Sequence, residues 1–471
     1  MSTTSHKLSV QEKIGYSLGD LSANLVFQTL MTFLAFFYTD IFKIPPAKAA
    51  SVMLIGGFFG AFFNIVMGVI ADRTVTRWGK FRPWVLWTSV PFGISAFLAF
   101  STPDLSEGGR VAYAFVTYFF LVIMYSANNL PYSALSGVMT GDMNERNSLS
   151  SYRFVAVMVA QFVTQVLLLP MVLYLGGGDK PLGFKMAVGI FAVVAVICCI
   201  ITFLTTRERI VPTAEQKSTI GEDLTDLTRN KPWIIMLFLT ILVFITLAMK
   251  GGSYIYFFKN YMNQQSIRDF LVSWGFDSPN YLDDAASSAF SIFNAGGIIF
   301  MIIGIMFSKP LADKYGKRDV FGYALVVSTL FVLALNFFSP ESVGLVIASQ
   351  ILHGFFYGIT IPLLWAMIAD VADYSEWKNN RRATAIIFSA MIFGLKVGLS
   401  IGGALVGALL AHYNYNADLP SQAPDTVQGI KLLVSVYPSL FFIAGACLMF
   451  FYEINKNKES QIEKELAERR K

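Results

Sequence analysis

Long apolar runs separated by short polar gaps dominate this chain. Runs of spanning length centre on residues 15–41, 50–71, 83–101, 111–135, 151–176 and 183–205. A second set centres on 233–258, 285–309, 319–338, 343–368, 383–411 and 430–453. A helix needs about 20 apolar residues to cross the hydrocarbon core of a bilayer, so each run is predicted to be a membrane span. Between the two sets lies a polar stretch, Thr206 to Lys231, carrying Arg207, Arg209, Glu222, Asp223 and Asp226. The pattern predicts an all-α membrane protein of about twelve transmembrane helices in two pseudo-symmetric six-helix bundles. The expected boundaries are 1–205 for the first bundle, 206–232 for a cytoplasmic linker, 233–453 for the second bundle and 454–471 for a cytoplasmic tail, a short charged helix or disordered segment expected to be a solvated end.

A charged turn recurs once per half. Ala71-Asp72-Arg73 runs through Trp78-Gly79-Lys80-Phe81-Arg82-Pro83, and Ala312-Asp313-Lys314-Tyr315-Gly316-Lys317-Arg318 fills the same kind of gap later. One such turn is weak evidence, but two in matching positions indicate a duplicated unit. An Asp at a helix end can bind the N-terminus of a neighbouring helix or pair with Arg, and glycine permits the sharp turn. A second echo follows. Asp142, Glu145, Arg146 and Arg153 bridge spans four and five, while Asp370, Asp373, Glu376, Arg381 and Arg382 bridge spans ten and eleven. These sets predict gating contacts at Asp72, Arg73, Arg77, Asp142, Arg146, Asp313, Arg318, Asp370, Asp373 and Arg381 as two bundles rock.

Composition narrows the class. The 471 residues are 55% hydrophobic and only 14% charged, with 43 Phe. Soluble domains carry about 25% charged residues, so this surface cannot be mostly wet. The net charge of +5 could suggest nucleic acid, but the basic residues flank apolar runs instead of forming a tract. No nucleic-acid partner is predicted. The even-numbered loops hold Arg73, Arg77, Lys80, Arg82, Arg146, Arg207, Arg209, Lys217, Lys231, Lys314, Lys317, Arg318, Lys378, Arg381 and Arg382. The positive-inside bias places those loops and both termini in the cytoplasm of a multi-pass inner-membrane protein.

Cys198, Cys199 and Cys447 all lie in apolar runs, which predicts small packing residues without disulfide or metal. The first ten residues are polar and no small-residue cleavage site follows the first run, so the first span is expected to stay in the mature protein. No nucleophile–base pair or phosphate-cradling loop appears, and neither an enzyme nor a cofactor is predicted. The seventh loop, about Gln264 to Ala286, has an amphipathic patch of Phe270, Leu271, Trp274 and Phe276, suited to an external cap or a plain surface insertion.

Ionisable residues inside spans cost roughly 2.5–3.5 kcal/mol on insertion scales, so each asks for a partner or a task. Asp20, Lys250, His353 and Lys396 are of this kind. Asp20 and His353 are candidate proton carriers, with a snorkelling acid and a neutral, hydrogen-bonded histidine as the alternatives. Lys250 precedes Gly251-Gly252, and Lys396 sits among Gly394, Gly398, Gly402 and Gly403, which suits cavity-lining cations. Asn24, Gln28, Asn64, Tyr125, Ser126, Asn128, Asn129, Gln161, Gln165 and Asn294 add amides and hydroxyls within the spans. Such groups around a wet cavity suit a polyhydroxylated solute, because sugar hydroxyls both donate and accept. Helix–helix hydrogen bonding is the alternative for any one of them.

Several segments carry a family resemblance. Lys13-Ile14-Gly15-Tyr16 with Gly19-Asp20, Phe37-Tyr38-Thr39-Asp40, Arg77-Trp78-Gly79-Lys80-Phe81-Arg82-Pro83-Trp84, Asn129-Leu130-Pro131-Tyr132, Ala369-Asp370-Val371-Ala372-Asp373-Tyr374 and Lys396 with its glycines resemble the glycoside–pentoside–hexuronide:cation symporters. These are the melibiose permease-like members of the major facilitator superfamily. The resemblance spans Lys13 to about Tyr452 and implies a sugar site between two bundles and alternating access. By resemblance, the family's sugar-binding acids fall at Asn24 and Asn129, and its cation acids on span two fall at Gly60 and Asn64. Ser126 keeps the cation-site hydroxyl, Arg153 the span-five arginine, Lys396 the span-eleven lysine and Trp365 the span-ten aromatic.

A sodium ion in a low-dielectric site needs compensating anionic charge, and Gly60 with Asn64 supplies none. The expected function is therefore secondary active transport of a sugar, glycoside or sugar acid such as a uronide, as a monomer, with protons favoured over sodium. Candidate substrate residues are Asn24, Tyr125, Asn128, Asn129, Arg153, Lys250, Trp365 and Lys396; candidate coupling residues are Asp20, Asn64, Ser126 and His353. The alternatives are an uncoupled sugar facilitator or a carrier of a non-sugar amphiphile such as a lipid.

Overall fold

The computed structural model describes residues 7–140, 143–209, 230–379 and 384–469. Asp142, Arg381 and Arg382 lie outside them. Among the described residues the chain is helical throughout, apart from an isolated bridge between Thr76 and Gly79. Ten helical segments there are long and apolar enough to cross a membrane. Two helices of 18 residues, Arg82–Ala99 and Lys317–Ala334, complete the crossings. Their charged first turns lower their apolar character. Large apolar side chains such as Phe62, Val116, Val193 and Phe450 stand exposed along the spans, as lipid-facing positions should. The chain divides into two compact units, Met1–Glu215 and Gln216–Lys471.

The first unit comprises α1 (Val10–Phe36), α2 (Pro46–Asp72), α3 (Arg82–Ala99), α4 (Glu107–Met139), α5 (Met143–Phe162), α6 (Leu168–Gly176) and α7 (Lys180–Thr205). Local chemistry starts each helix. Ser9 and Glu12 form a capping box on α1, Ser106 caps α4, and Asp179 followed by Pro181 opens α7. A π-helical turn at Val163–Leu167 joins α5 to α6 into one crossing, just ahead of Pro170. A second π turn, Phe37–Ile41, extends α1.

The second unit comprises α8 (Lys231–Asn260), α9 (Gln264–Ser273), α10 (Pro279–Leu282), α11 (Ala285–Tyr315), α12 (Lys317–Ala334), α13 (Val343–Asn379), α14 (Thr384–His412), α15 (Pro424–Val434), α16 (Val436–Phe451) and α17 (Lys456–Arg469). Glycines bring two helix pairs into backbone contact. A Cβ on Gly304 of α11 would lie 2.0 Å from the Phe355 carbonyl oxygen on α13, and one on Gly358 would lie 2.1 Å from the Met301 carbonyl. On α14, a Cβ on Gly398 or Gly402 would lie 2.6 or 2.4 Å from the carbonyls of Ile241 and Ile245 on α8. Only glycine allows such approach.

The seventh-loop insertion is amphipathic, as its sequence suggests. Ile267 and Leu271 of α9 are fully buried while Trp274 is exposed. The C-terminal segment corrects the expectation of a solvated end. It forms α17, whose Ile462 and Leu466 are buried and whose Glu465 accepts from the Trp377 indole N–H at 2.6 Å. Burying two aliphatic side chains and pairing a half-buried indole offset the entropy of ordering this charged helix.

Candidate functional site

In each unit an ionisable pair lies within the spans. In the first unit Asp20, near the start of α1, meets Arg153 of α5, with Nε 2.6 Å from Oδ2. The Asp20 side chain is 8% exposed and that of Arg153 is 28% exposed. Tyr16 and Tyr132 stack at 4.6 Å and exchange hydrogen bonds, the Tyr16 hydroxyl donating to the Tyr132 carbonyl at 3.1 Å and the reverse at 2.8 Å. The guanidinium lies 5.6 and 5.5 Å from the two ring centres. A carboxylate and a guanidinium in hydrogen-bond contact, backed by aromatic faces, form a compensated pair. Arg153 is expected among the charges bridging spans four and five; its partner Asp20 lies on α1. Glu145 of that set pairs with Lys13 at 2.9 Å.

The neighbouring amides divide by environment. Asn128 is buried, and its Nδ2 donates to Thr88 Oγ1 at 2.9 Å and to the Val85 carbonyl at 3.3 Å. Those bonds hold α4 to α3, which is the helix-packing alternative for this residue. Asn24 donates to the Asp20 carbonyl on its own helix at 2.9 Å. Gln165 donates to Gln28 at 3.3 Å. Tyr125 stands between Phe27 and Phe92, 6.1 Å from each ring centre. Asn129 is half-buried, and Ser126 is buried.

On span two, a Cβ on Gly60 would lie 2.2 Å from Val122 Cγ1, so α4 fills the place where a side chain would stand. The buried Asn64 Nδ2 has no hydrogen-bond partner among the described residues.

In the second unit Lys250 of α8 meets His353 of α13, Nζ against Nε2. The two residues are 5% and 3% exposed. His353 Nδ1 lies 2.9 Å from Ser328 Oγ and 3.1 Å from the Ser328 carbonyl oxygen on α12. Tyr254 and Tyr357 offer ring faces to Lys250 at 5.7 and 6.0 Å. Lys396 is half-buried on α14, and Trp365 is 38% exposed on α13.

At the ends carrying the basic loops, both repeated turns are held by residues the sequence reading passed over. Gly79 has φ +110° and Gly316 φ +92°, the left-handed region that favours glycine. The first turn is held by Glu208, just beyond α7, whose carboxylate accepts the backbone N–H groups of Lys80, Phe81 and Arg82 at 2.8, 2.7 and 2.9 Å. This is an anion on a helix N-terminus, the role expected of an Asp. Arg82 donates to the Phe203 carbonyl at 2.6 Å, and Arg77 covers the Trp78 ring at 4.7 Å. Arg73 is exposed, and the side chains of Asp72 and Arg146 are not described.

The second turn is held by Lys456 of α17, whose Nζ donates to the carbonyls of Asp313 and Lys314 at 2.8 and 3.1 Å. Lys317 of α12 bridges Asp370 at 2.6 Å and Glu459 at 2.8 Å. Arg318 pairs with its neighbour Asp319 at 2.7 Å. Asp373 is half-buried on α13 beside this group. The missed residues share one signal: Glu208 and Lys456 each follow closely on the last span of their own unit.

Membrane-spanning helices in two like units, each burying an ionisable pair and pinning a repeated charged turn, define a transporter of the major facilitator type, not an enzyme. The chain belongs to the MFS/sugar transport protein family, whose model matches residues 15–275 and 280–456. It is 35% identical to the inner membrane symporter YicJ of Escherichia coli over 98% of this chain and 96% of that protein. It is 30% identical to an isoprimeverose transporter of Lactiplantibacillus pentosus, over 94% of this chain and 89% of that protein. Among solved structures, the nucleoside transporter NupG superposes with a TM-score of 0.58 at 17% identity, covering 94% of this chain and all of that one (100%). That likeness concerns the fold.

Proposed function

We propose that the protein is a cation-coupled symporter that carries a sugar, glycoside or sugar acid across the inner membrane by alternating access, with protons as the coupling ion. The family and the symporter named among its relatives support the transport class. One observation carries the choice of ion. Position 60 is closed by Val122, and Asn64 brings a neutral amide, so neither of these span-two positions offers a carboxylate for sodium. Arg153, Lys396, Trp365, Asn24, Asn129 and Tyr125 are the proposed solute contacts, with Asn128 left to helix packing. Both termini and the basic loops face the cytoplasm on this reading, as the distribution of Lys and Arg supports. The proposed gate is built on the two pinned turns.

Proteoliposomes loaded with labelled sugars and sugar acids test this, with sodium and proton gradients imposed separately. A proton gradient alone should drive accumulation. Uptake driven only by sodium would overturn the choice of ion, and uptake indifferent to both gradients would leave a facilitator.

A further inference from the structure

The pair formed by Lys250 and His353 sets a bookkeeping problem for protons. His353 Nδ1 faces the Ser328 carbonyl oxygen, which can only accept, at 3.1 Å and the Ser328 hydroxyl, which can donate or accept, at 2.9 Å; the carbonyl contact favours hydrogen on Nδ1. In that tautomer Nε2 presents a lone pair toward Lys250, and the lysine nitrogen donates to it. A second proton on the imidazole would leave two donors and two positive charges in contact with no acceptor between them. The pair therefore holds either one positive charge or none.

Among the described residues no acid touches the pair. Its contacts are Ser328, Tyr254, Tyr357 and Phe442, with the imidazole stacked at 5.7 Å on Tyr357 and 6.4 Å on Phe442. Helices α8, α14 and α16 contain no Asp or Glu, and the charged group on α14 is Lys396. The acids of α11, α12 and α13 are Asp313, Asp319, Asp370, Asp373 and Glu376, all near the ends that carry the basic loop. Asp370 is separated from His353 by about 25 Å of helix at 1.5 Å per residue. The titratable groups facing the pair are thus the two tyrosines, whose ring faces favour a cation without neutralising it. At 5% and 3% exposure the site is closed to a sugar.

We propose that Lys250 and His353 together form a one-proton store in the second unit, in which a single exchangeable proton is added to or withdrawn from a hydrogen-bonded pair of bases. Its use in coupling rests on the symport reading above; its existence does not. On gaining a proton the pair becomes an uncompensated cation inside the bundle, and on losing it the pair becomes neutral. That difference is what a coupling site needs, because the preferred charge state depends on what else the unit faces.

The test is nitrogen NMR on the purified full-length protein labelled in histidine. The chain has 3 His, and the His353→Gln variant identifies the signal of interest. The expected result in the unmodified protein is an Nδ1–H tautomer whose Nε2 shift moves with pH as the lysine loses its proton. In Lys250→Met that movement should vanish while the tautomer persists. An Nε2–H tautomer, or a pH-dependent shift unchanged in Lys250→Met, would overturn the proposal, and the tautomer needs no variant to be read. In proteoliposomes, Lys250→Met should lose the accumulation that a proton gradient drives in the unmodified protein. No proton-driven accumulation by the unmodified protein, with the NMR result intact, would refute the symport reading and leave the proton store standing.

Discussion

The two units solve the same placement problem with opposite chemistry. Each sets an ionisable side chain of its first helix against one from a later helix, with tyrosine rings alongside. In the first unit the partners are Asp20 and Arg153, whose charges cancel. In the second they are Lys250 and His353, two bases whose charges cannot cancel. A cancelled pair resists change, because removing either member strands a charge. A pair of bases tolerates removal of either member, because the survivor can be neutral. A paired ionisable group on the first helix of a unit therefore does not fix a role; the identity of the paired groups does.

The largest effect that could break this comparison is predicted at Arg153. Arg153→Met should destabilise the protein by about 3–5 kcal/mol, because Asp20 is left buried and charged. Thermal unfolding in detergent reads this, and the Asp20→Asn, Arg153→Met double variant should recover much of the loss. A double variant no more stable than the single one would remove the argument from charge.

Next comes the C-terminal helix. A stop codon after Asn455 should cost about 2–3 kcal/mol, from the buried Ile462 and Leu466 less the entropy regained. Faster proteolysis near Lys317 would accompany it. Glu208→Ala removes the acceptor for three backbone N–H groups and should cost about 1–2 kcal/mol. Glu208→Gln should recover part of that loss in the same melting assay.

Lys250→Met sharpens the comparison most directly. The swap conserves volume and leaves His353 neutral on Ser328, so the cost should stay below about 1.5 kcal/mol. A loss as large as that of Arg153→Met would show that an unseen charge compensates Lys250. The smallest effect is expected at span two, where Asn64→Ala should leave any response of transport to sodium unchanged. Sodium-stimulated uptake abolished by this substitution would restore a cation site there.

Most of the helical frame was legible because the bilayer imposes one length and one polarity on every span. The turns were legible through Gly79 and Gly316, since left-handed backbone beside charged residues leaves a plain mark. Pairing was not. Asp20 and Arg153 stand 133 positions apart, and the reading gave one to coupling and the other to solute. No periodicity within a span says which neighbour a charge will find. Glu208 was hidden as one acid between two arginines. The docking of the C-terminal helix was hidden because a strongly charged segment needs only Ile462 and Leu466, four positions apart, to pack. Asn128 shows the converse: an amide within a span can be consumed by packing.

The glycine contacts of the second unit carry a mechanical consequence. Gly398 and Gly402 seat α14 on the backbone of α8, and Gly304 and Gly358 seat α11 and α13 on one another. Helices so close have no side-chain cushion to deform, and each couple behaves as one stiff rod. Lys250 and Lys396 ride on the first rod and His353 on the second. The lysine–imidazole contact therefore lies where the two rods meet, alongside the packing of Tyr254 and Phe258 on Phe293.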